Sequence, residues 1–588
     1  MRRLLCSAFL LPLIALAGGK ADLMKVRTVW NDGEYAGNTA PVFVVPNAQP
    51  GESRSGADIW GRIDTVGGTT YDWQVNGPCD QYIYVDPTYG VHVTWMYSAE
   101  MSGHADRNMR YNFFDFAGGA WNFIDPANFM NSGVNAFTDR SGFGMLDVNP
   151  VTGVAYVAAH QGNIHPSVAR DVAPGAGLFD PCTGIPNADQ YAWPSMNMTQ
   201  SERAHVALWD NASHLGLCYA NIDPWCDWSM PVPIAPDPEF ALYICKGSKL
   251  SHKVVIAWEC SDPDPTLPDE GYYRQSTDDG ATWDPTVQIP RPPAFTPGSE
   301  TIPTFHIAGI YPFLDHADDL HVVASIGPLI GGQGYIMPCE IWHWFQPTGL
   351  WSRVVRSECD TAHLMGGVSY NSLYANRPTL GEGEPGELVC VWEEFDSMNV
   401  ESLTGCLRGE IREALSLDNG ETWGNARTIT DPGTDSKRFP AVATRMYNDT
   451  VWIRYVADQV AGFGIAPYAQ GPVTNNPVVV QRFRVGSSVS DDGQRNPSVT
   501  TLVLAPNPLR MNSTVSYELP RAGNVRLSVC DAAGKMVRVL ADGTAGPGRY
   551  SVCWDGRGGH GATLRAGVYF CNLETGGKRL TRKVVLLP

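Results

Sequence analysis

A repeated pair of strands is the feature that most constrains the fold of this 588-residue chain. Each copy has a first strand, a polar turn and a second strand that is apolar almost throughout and rich in valine and tryptophan. Such strands are typical of β-structure packed on both faces, whereas a half-exposed strand alternates apolar and polar residues. The seven second strands lie at 91–95, 154–157, 205–209, 254–258, 320–323, 388–392 and 451–455. We therefore expect a series of similar β units that pack on one another.

The spacing of the copies predicts a β-propeller. Successive copies lie about 50 to 67 residues apart, which allows a four-stranded blade of about 40 to 45 residues with longer loops. The 60 glycines, 44 prolines, 18 tryptophans and 23 tyrosines also favour an all-β chain of short strands and many turns. Seven strand pairs favour seven blades. Six blades remain the alternative, in which one pair is an insertion or a strand at 42–45 completes a blade counted separately.

Two turns share a stricter pattern, S-x-D-x-G-x-T-W. The aspartate can accept backbone N–H bonds across a tight hairpin, the glycine supplies a positive φ, and the tryptophan can pack back onto the sheet. The matching residues are Ser276, Asp278, Gly280 and Trp283 in one turn, and Ser416, Asp418, Gly420 and Trp423 in the other. The pattern resembles the Asp-box (BNR) repeats of sialidases and related propellers. Weaker copies at 115–121 and 349–351 keep only the turn and the aromatic residue.

The Asp-box resemblance implies where a ligand site lies. In the family the Asp-box is a structural turn on the face opposite the site, so its aspartates are not catalytic candidates. If the Asp-box joins the third and fourth strands of a blade, the loops after the second strands lie at the other end. Carboxylates, aromatic residues and histidines collect in those loops, as a polar central site requires. The residues predicted to bind a ligand are Tyr97, Arg107, His160, Asp210 and Arg454.

Three carboxylates are the candidates for catalysis: Glu259, Glu393 and Glu394. A glycoside hydrolase needs an acid and a base or nucleophile that face one another across the scissile bond. Sialidases resemble this fold but add three arginines, a tyrosine nucleophile with a glutamate partner, and an early Arg-Ile-Pro motif. Only the segments at 62–64 and 438–440 approach that motif, and neither is expected at the start of a first strand. The incomplete set favours binding over catalysis.

No cofactor is predicted, since histidine and cysteine do not cluster at metal-ligand spacing and no phosphate-binding glycine motif occurs. Asp262, Asp264 and Asp269 could hold Ca²⁺, but their loop lacks the EF-hand pattern and is better explained as a proline-stiffened surface loop. Of the 14 cysteines, those at 245 with 260, or at 390 with 406, are the candidates for disulfides between neighbouring strands. Small buried hydrophobic residues are the equal alternative.

The composition changes towards both ends of the chain. Residues 1–17 have a basic start, a short apolar run and small residues at the end, which predicts a secretory signal peptide. Residues 22–486 are assigned to the propeller and the polar stretch 487–500 to a linker. Residues 501–588 show short alternating strands separated by turns, which predicts a small immunoglobulin-like (Ig-like) β-sandwich.

The C-terminal module carries a second resemblance. Its motifs are Pro-Asn-Pro at 506–508, an Asp-to-Lys turn at 531–535, Trp-Asp-Gly at 554–556, Ala-Gly-Val-Tyr-Phe at 566–570 and a terminal apolar strand at 583–587. They resemble type IX secretion C-terminal sorting domains and the related FlgD-like Ig module. The resemblance implies export by the type IX machinery of a Gram-negative type bacterium, with release or attachment at the outer-membrane surface.

Charge narrows the range of partners. A net charge of −19 without any Lys/Arg-rich run repels nucleic acid and anionic membranes. No stretch after the signal peptide is long and apolar enough for a transmembrane span. We therefore predict a secreted or cell-surface protein that binds glycans or another extracellular polymer on the propeller face opposite the Asp-boxes. Two alternatives stay open: a sialidase-like glycoside hydrolase with paired carboxylates, and an adhesive or structural surface protein without a small ligand.

Overall fold

The computed structural model describes residues 61–75, 81–162, 165–211, 216–235, 240–260, 267–295, 302, 304–330, 333–359, 364–370, 372–466, 469–485, 501–505, 513–519, 523–545, 548–554, 556–559, 562–575 and 578–586. The predicted signal peptide, the strand at 42–45, the linker at 487–500, Asp262 and Asp264 lie outside these residues. The described residues form β-strands and loops, with two single-turn 3-10 helices, Phe129–Asn131 and Ala188–Gln190.

Seven antiparallel sheets of four or five strands follow one another over the described part of 62–484. In each of the first six sheets, four main strands pair in chain order, and the first and fifth sheets each have one further short strand outside that order. The strands are β1 (Arg62–Thr69); β2 (Ile83–Asp86), β3 (Gly90–Tyr97), β4 (Asn108–Asp115), β5 (Ala120–Trp121) and β6 (Val134–Asn135) in the first sheet; β7 (Ser141–Val148), β8 (Ala155–Gln161), β9 (His165–Asp171) and β10 (Phe179–Pro181) in the second; β11 (Tyr191–Met198), β12 (Ala204–Asp210), β13 (Leu217–Ile222) and β14 (Val232–Ala235) in the third; β15 (Phe240–Gly247), β16 (Val254–Cys260), β17 (Glu270–Ser276) and β18 (Val287–Ile289) in the fourth; β19 (Thr304–Leu314), β20 (Leu320–Ile330), β21 (Gln333–Gly334), β22 (Cys339–Phe345) and β23 (Leu350–Ser357) in the fifth; β24 (Ala375–Glu382), β25 (Leu388–Val400), β26 (Leu407–Ser416) and β27 (Arg427–Thr428) in the sixth; and β28 (Ser436–Val442), β29 (Thr450–Asp458) and β30 (Asn476–Arg484) in the seventh.

The second strand of each sheet packs on both faces, as its apolar sequence predicts. In β16 every residue is buried. Val255 and Ala257 belong to a cluster shared with the fifth sheet, whereas Val254 and Ile256 belong to one shared with the third. Because each fully buried aliphatic side chain contributes about 1.5–3 kcal/mol, this stacking of sheet on sheet is the main source of stability.

The seventh sheet joins the two ends of the series. Its outer strand is β1, which pairs with β30 from Arg62 opposite Arg482 to Thr69 opposite Asn476. One hydrophobic cluster then spans the seventh, first and second sheets. The series therefore closes into a propeller-like ring, in which the first and last sheets are neighbours.

The first strands of the sheets face the centre of this ring. Gln81, which precedes β2, donates to Asp147 of β7 at 2.8 Å and accepts from Asn197 of β11 at 3.3 Å. It also accepts from Lys246 of β15 at 3.2 Å, although Lys246 lies three sheets further along the chain. Only strands that surround a common axis can make such contacts.

The C-terminal module is a two-sheet β-sandwich. One sheet orders β31 (Thr501–Ala505), β32 (Ser513–Leu519) and β35 (Gly548–Trp554), and the other orders β34 (Met536–Ala545), β33 (Gly523–Asp531), β36 (Gly567–Thr575) and β37 (Lys578–Leu586). Val515, Leu527, Trp554 and Leu573 are among the buried residues between them. Among all the described residues, no helix is long and apolar enough to cross a membrane.

Neither candidate disulfide is present, and the alternative holds, since all four of those cysteines are buried. Cys182 and Cys226 form a disulfide, with Cα atoms 4.8 Å apart. None of the four predicted cysteines is in a disulfide. Cys245 lies opposite Ile256, four residues from Cys260, so the two thiols do not face each other across the strand pair. A disulfide needs closely opposed Cβ atoms, and closeness in sequence does not provide them.

Candidate functional site

The two segments with the S-x-D-x-G-x-T-W pattern, which we call the Asp-box turns for that sequence pattern alone, define two ends of the ring. One joins β17 to β18 and the other joins β26 to β27, so both link the third and fourth strands of a sheet. We call that end of the sheets the turn face. We call the opposite end, where β3, β8, β16, β25 and β29 end, the site face.

Both Asp-box turns bind the preceding sheet. The Oδ1 atom of Asp278 accepts from the backbone N–H of Thr282 at 2.8 Å, and Asp418 makes the same bond with Thr422. Gly280 lies against Tyr219, and Gly420 lies against His343. The tryptophans pack on the same two rings, with centroids 4.9 Å apart for Trp283 and Tyr219 and 5.5 Å apart for Trp423 and His343. This geometry suits a structural role.

Other turns between third and fourth strands also begin with an aspartate. Asp115 and Asp171 accept backbone N–H bonds in the first and second sheets, and Asp223 does so in the third. The weak copy at 349–351 occupies the same position between β22 and β23. The sequence interpretation missed Asp171 and Asp223. The spacing from Asp223 to Trp228 equals that from Asp278 to Trp283 and could have revealed it.

The first strands carry a β-bulge near the site face. The ladder register shifts in six of them, β7, β11, β15, β19, β24 and β28. Four bulges place a residue other than glycine at positive φ: Phe143, Trp193, Arg377 and Phe439. Such backbone costs about 1–3 kcal/mol per residue and concentrates at functional sites. The segment 438–440 lies in a first strand, β28, but not at its start.

Glu393 lies between two arginines in the second strand of the sixth sheet. Its side chain is fully buried, forms ion pairs with Arg377 and Arg438, and accepts from the backbone N–H of Phe439 at 2.9 Å. Burial opposes ionisation, but Arg438 and Arg377 outweigh it and hold the pKa of Glu393 below its ordinary value. Ser372 Oγ accepts from both guanidinium groups, at 3.2 Å and 3.0 Å. Glu393 is therefore ionised at neutral pH.

Asp72 and Asp458 form a buried acid pair close to this cluster. Asp72 Oδ2 accepts from the backbone N–H of Gly464 at 2.5 Å, whereas Asp72 Oδ1 has no hydrogen-bond partner. Burial raises the pKa of Asp72 to about 7, although the Gly464 N–H bond and Arg438 act in the opposite direction. Burial and then the charge of Asp72 raise the pKa of Asp458 well above its ordinary value. At neutral pH the pair therefore retains at least one proton.

The segment 71–74 connects this acid pair to the predicted ligand-binding residues. Tyr71 OH accepts from Arg107 at 3.2 Å, and the same guanidinium donates to His160 Nε2 at 3.0 Å. Gln74 Oε1 accepts from Arg454 at 2.6 Å. Burial lowers the pKa of Arg454 to about 10, which leaves it charged at neutral pH. The structure thus brings Arg107, His160 and Arg454 around one short segment.

Aromatic rings surround the same segment. Trp73 stacks on Phe463 with centroids 4.8 Å apart and an interplanar angle of 9°. Phe463 stacks in turn on Phe439, at 6.2 Å. The guanidinium of Arg438 lies over both phenylalanine rings, at 4.9 Å from Phe439 and 5.6 Å from Phe463. All three rings are buried and form part of the hydrophobic core beside the acid pair.

The remaining predicted ligand residues have other partners. The guanidinium of Arg110 lies over the ring of Tyr97, 3.5 Å from its centroid. Asp210 accepts from Gln190 at 3.4 Å in the third sheet.

The predicted carboxylates Glu393 and Glu394 do not face each other. Glu394 accepts from Ser357 at 2.8 Å and from Trp392 at 3.0 Å, and it forms an ion pair with Arg412. Neighbouring residues of a strand point to opposite faces, so Glu393 and Glu394 lie on different sides of their sheet.

Glu259 occupies the position in the fourth sheet that Glu393 occupies in the sixth, since both follow the tryptophan of a second strand. It is 1 % exposed, and neither of its oxygens has a hydrogen-bond partner. Burial, and then the charge of Asp269, raise the pKa of Glu259 well above its ordinary value. The Glu259 side chain therefore favours its neutral form. It lies in the fourth sheet, two sheets away from Glu393.

Asp269 accepts from the backbone N–H of Ile307 at 2.8 Å. In the ranges that the structure describes, no group of three or more His, Cys, Asp or Glu side chains could hold a metal ion. The other two residues of the Ca²⁺ prediction lie outside those ranges, so it stays a prediction.

Asp72, Arg377 and Ser372 were missed by the sequence interpretation. Asp72 precedes the first predicted strand pair, and Arg377 belongs to a first strand. The predicted ligand residues were instead those in loops after second strands. The Tyr-Asp-Trp-Gln pattern at 71–74 was the available signal for Asp72.

Comparison with known proteins identifies part of the chain. Residues 510–577 match the FlgD Ig-like domain family, so the C-terminal sandwich contains an FlgD Ig-like domain. No curated protein sequence matches the chain.

Several solved structures are similar at low identity. A PL25 ulvan lyase, described as a polysaccharide lyase, has a TM-score of 0.42 and 10 % identity, and the match covers 71 % of this chain and 96 % of the lyase. The α-L-arabinanase of Penicillium chrysogenum has a TM-score of 0.34 and 12 % identity, over 73 % and 99 %. The GH93 α-L-arabinofuranosidase of Fusarium graminearum has a TM-score of 0.36 and 12 % identity, over 73 % and 98 %. These TM-scores are too low for the similarity to establish the fold. The propeller-like fold is inferred from the strand pairing described above.

Proposed function

We propose that this chain is a secreted or cell-surface protein with a seven-bladed propeller that binds an extracellular glycan on its site face and hydrolyses a glycosidic bond there. The observation that carries this proposal is the protonation pattern around Arg438. Asp72 and Asp458 retain a proton at neutral pH, while Glu393 is ionised. Carboxyl groups whose environments push their pKa values apart are the usual basis of acid and base roles in one site.

Each acidic side chain has a role in this proposal. One acid of the coupled pair, Asp72 and Asp458, holds the proton at neutral pH and donates it to the glycosidic oxygen. The other acid, once ionised, activates the attacking water. Glu393 is a positioning residue, because its carboxylate is already bound by Arg377, Arg438 and the Phe439 N–H.

The acid pair lies in a buried part of the ring. Trp73, Phe463 and Phe439 stack on one another in the core beside it, and Tyr71 and Gln74 bind the guanidinium groups of Arg107 and Arg454. The sialidase-like alternative has less support, because Arg377 and Arg438 are occupied by Glu393 and cannot also bind a substrate carboxylate.

Binding without cleavage is the second candidate function, and one observation favours it. Asp72 and Asp458 are each only 3 % exposed, and the N–H of Gly464 covers one oxygen of Asp72. A substrate reaches the acids only if the segment around Gly464 moves away.

The test is a glycan-array screen combined with a reducing-end assay on purified polysaccharides, for wild type and Asp72→Asn. Asparagine keeps the shape of the side chain but can neither supply nor accept the proton. We expect Asp72→Asn to lower turnover by at least about a hundredfold while glycan binding persists. The matched control is Asp171→Asn, a buried acid at the turn face of the second sheet. Glycan binding by wild type without turnover would reject hydrolysis and leave binding; absence of both would favour the adhesive alternative.

We also propose that residues 1–17 direct export and that the FlgD Ig-like module acts as a sorting signal for type IX secretion. Support comes from the sequence motifs and from the family match at 510–577. In a host with that machinery, deletion of residues 502–588 should leave the propeller folded in the periplasm. Equal surface display of the truncated protein would contradict the sorting role.

A further inference from the structure

The turn between β13 and β14 differs from the two Asp-box turns at one position. Two residues after the aspartate, both Asp-box turns have a glycine that lies against the preceding sheet, where an added Cβ would lie 2.0 Å from the nearest atom. The corresponding residue after Asp223 is Trp225. A tryptophan cannot take the place of a glycine in that contact, so this turn is attached to the preceding sheet by other contacts.

The turn is nevertheless held firmly. Asp223 Oδ1 accepts from the backbone N–H groups of Trp225 at 2.9 Å and Asp227 at 3.0 Å. Arg170 donates to the carbonyl of Pro224 at 2.9 Å. The disulfide between Cys182 and Cys226 fastens the turn to the second sheet. The backbone beneath Trp225 is therefore fixed before any ligand binds.

Trp225 projects from this fixed turn into water. It is 82 % exposed, the highest value among the large hydrophobic residues of the described ranges. Its packing is not needed for the turn, because Trp228 supplies the aromatic residue that packs on the core of the second and third sheets. Asp227, two residues further on, is also exposed.

We propose that Trp225 is a platform on which a sugar ring of a neutral polysaccharide stacks, at a second glycan site on the turn face. The C–H face of a sugar ring can cover the exposed indole, and the Asp227 carboxylate can accept bonds from sugar hydroxyl groups. A rigid aromatic side chain loses little conformational freedom on binding. The net charge of −19 disfavours acidic polymers and so selects neutral ones. This site needs no catalysis and so goes beyond the proposed function.

The experiment is affinity electrophoresis of the full chain in native gels that contain arabinan, xylan, galactomannan or mixed-linkage β-glucan, with alginate as the acidic comparison. Trp225→Ala is compared with wild type and with Leu350→Ala, which removes another exposed apolar side chain, 69 % exposed, from a turn of the fifth sheet. We expect at least one neutral polymer to retard wild type, and Trp225→Ala to raise its apparent Kd by about threefold to tenfold. Leu350→Ala should behave as wild type.

Two results would overturn the inference. One is that no neutral polymer retards wild type. The other is that Trp225→Ala is retarded as strongly as wild type, and a loss of self-association in that variant would then mean that Trp225 contacts a second copy of the chain. Asp72→Asn keeps this measurement separate from the proposed hydrolysis. Its retardation at the Trp225 site should match wild type, whereas its turnover should fall.

Discussion

Glu259 and Glu393 show at the scale of single residues how partners decide the state of one side-chain type. Both follow the tryptophan of a second strand and both are buried. Burial, and then the charge of Asp269, raise the pKa of Glu259 well above its ordinary value, whereas Arg438 and Arg377 hold that of Glu393 below it. The two arginines come from the first strands of the sixth and seventh sheets. The state of each glutamate is thus set by residues distant in sequence.

Removing the charge of Glu393 should be costly. In Glu393→Gln the buried guanidinium groups of Arg377 and Arg438 lose their common counter-charge. Because an unpaired buried charge is strongly unfavourable, we expect the free energy of unfolding to fall by about 3–5 kcal/mol. Urea denaturation of wild type and variant at pH 7 measures this difference in the free energy of unfolding. Glu259→Gln is the matched control, since Glu259 is a neutral acid without hydrogen-bond partners, and an equal loss in both variants would contradict this account.

The control carries a pH prediction of its own. Glu259 binds a proton more tightly in the folded chain than in the unfolded chain, whose ordinary pKa is 4.5. Its contribution to stability is therefore fully present below about pH 4.5 and is lost as the pH rises towards the raised folded value. Glu259→Gln should match wild type in stability at pH 4 and exceed it at pH 8. A constant difference between the two proteins across this range would reject the assignment.

Sequence reasoning identified Arg107, His160 and Arg454 as ligand candidates, and the structure brings them around the segment 71–74. Sequence reasoning could identify these three residues because they lie in second strands or in the loops that follow them. Asp72 lies between sheets, outside any repeated unit. Burial raises its pKa, and that burial arises where Asp72 meets Gly464, almost 400 residues later, which no local pattern encodes.

At the scale of elements, the Asp-box turns act as fasteners between neighbouring sheets. Each brings a glycine and a tryptophan against a ring of the preceding sheet, Tyr219 or His343. The sequence predicted both turns, because Asp, Gly and Trp at fixed spacing report local backbone. It did not predict the bulges of the first strands, because these depend on the register with β8, β12 and the other second strands.

Gly420 should be intolerant of a side chain. Its φ is +80°, and an added Cβ would lie 2.0 Å from His343, which is itself buried. We expect Gly420→Ala to lower the free energy of unfolding by about 2–4 kcal/mol, from backbone strain and overpacking together. Gly349→Ala is the control, since its φ is +66° but nothing lies within 4 Å of the added Cβ. Equal losses in the two variants would mean that the contact with His343 contributes nothing.

At the scale of the whole molecule, β1 completes the last sheet. The seven strand pairs were predicted from their apolar pattern, but the closing strand was not. The sequence of β1, RIDTVGGT, has little apolar content, and its partner β30 is far away along the chain. Only the finished ring shows that this weak strand has a place in it.

Removal of β1 should therefore destabilise the entire ring. A chain that begins at residue 70 leaves the backbone groups of β30 unpaired and exposes an edge of the seventh sheet. We expect a lower Tm and self-association, measured by calorimetry and light scattering. Deletion of residues 502–588 is the control and should leave the Tm of the ring unchanged. A synthetic peptide of residues 61–75 should restore part of the loss, and an unchanged Tm without β1 would refute its closing role.

The pairing of β1 with β30 also imposes an order in time. β1 is synthesised about 400 residues before its partner, so it has nothing to pair with while the six intervening sheets form. β1 therefore stays unpaired until β30 has been synthesised, and only then can the ring close and unfold as one cooperative unit. A ribosome stalled before residue 476 would thus hold a row of sheets with two open ends, which chaperones and proteases can recognise.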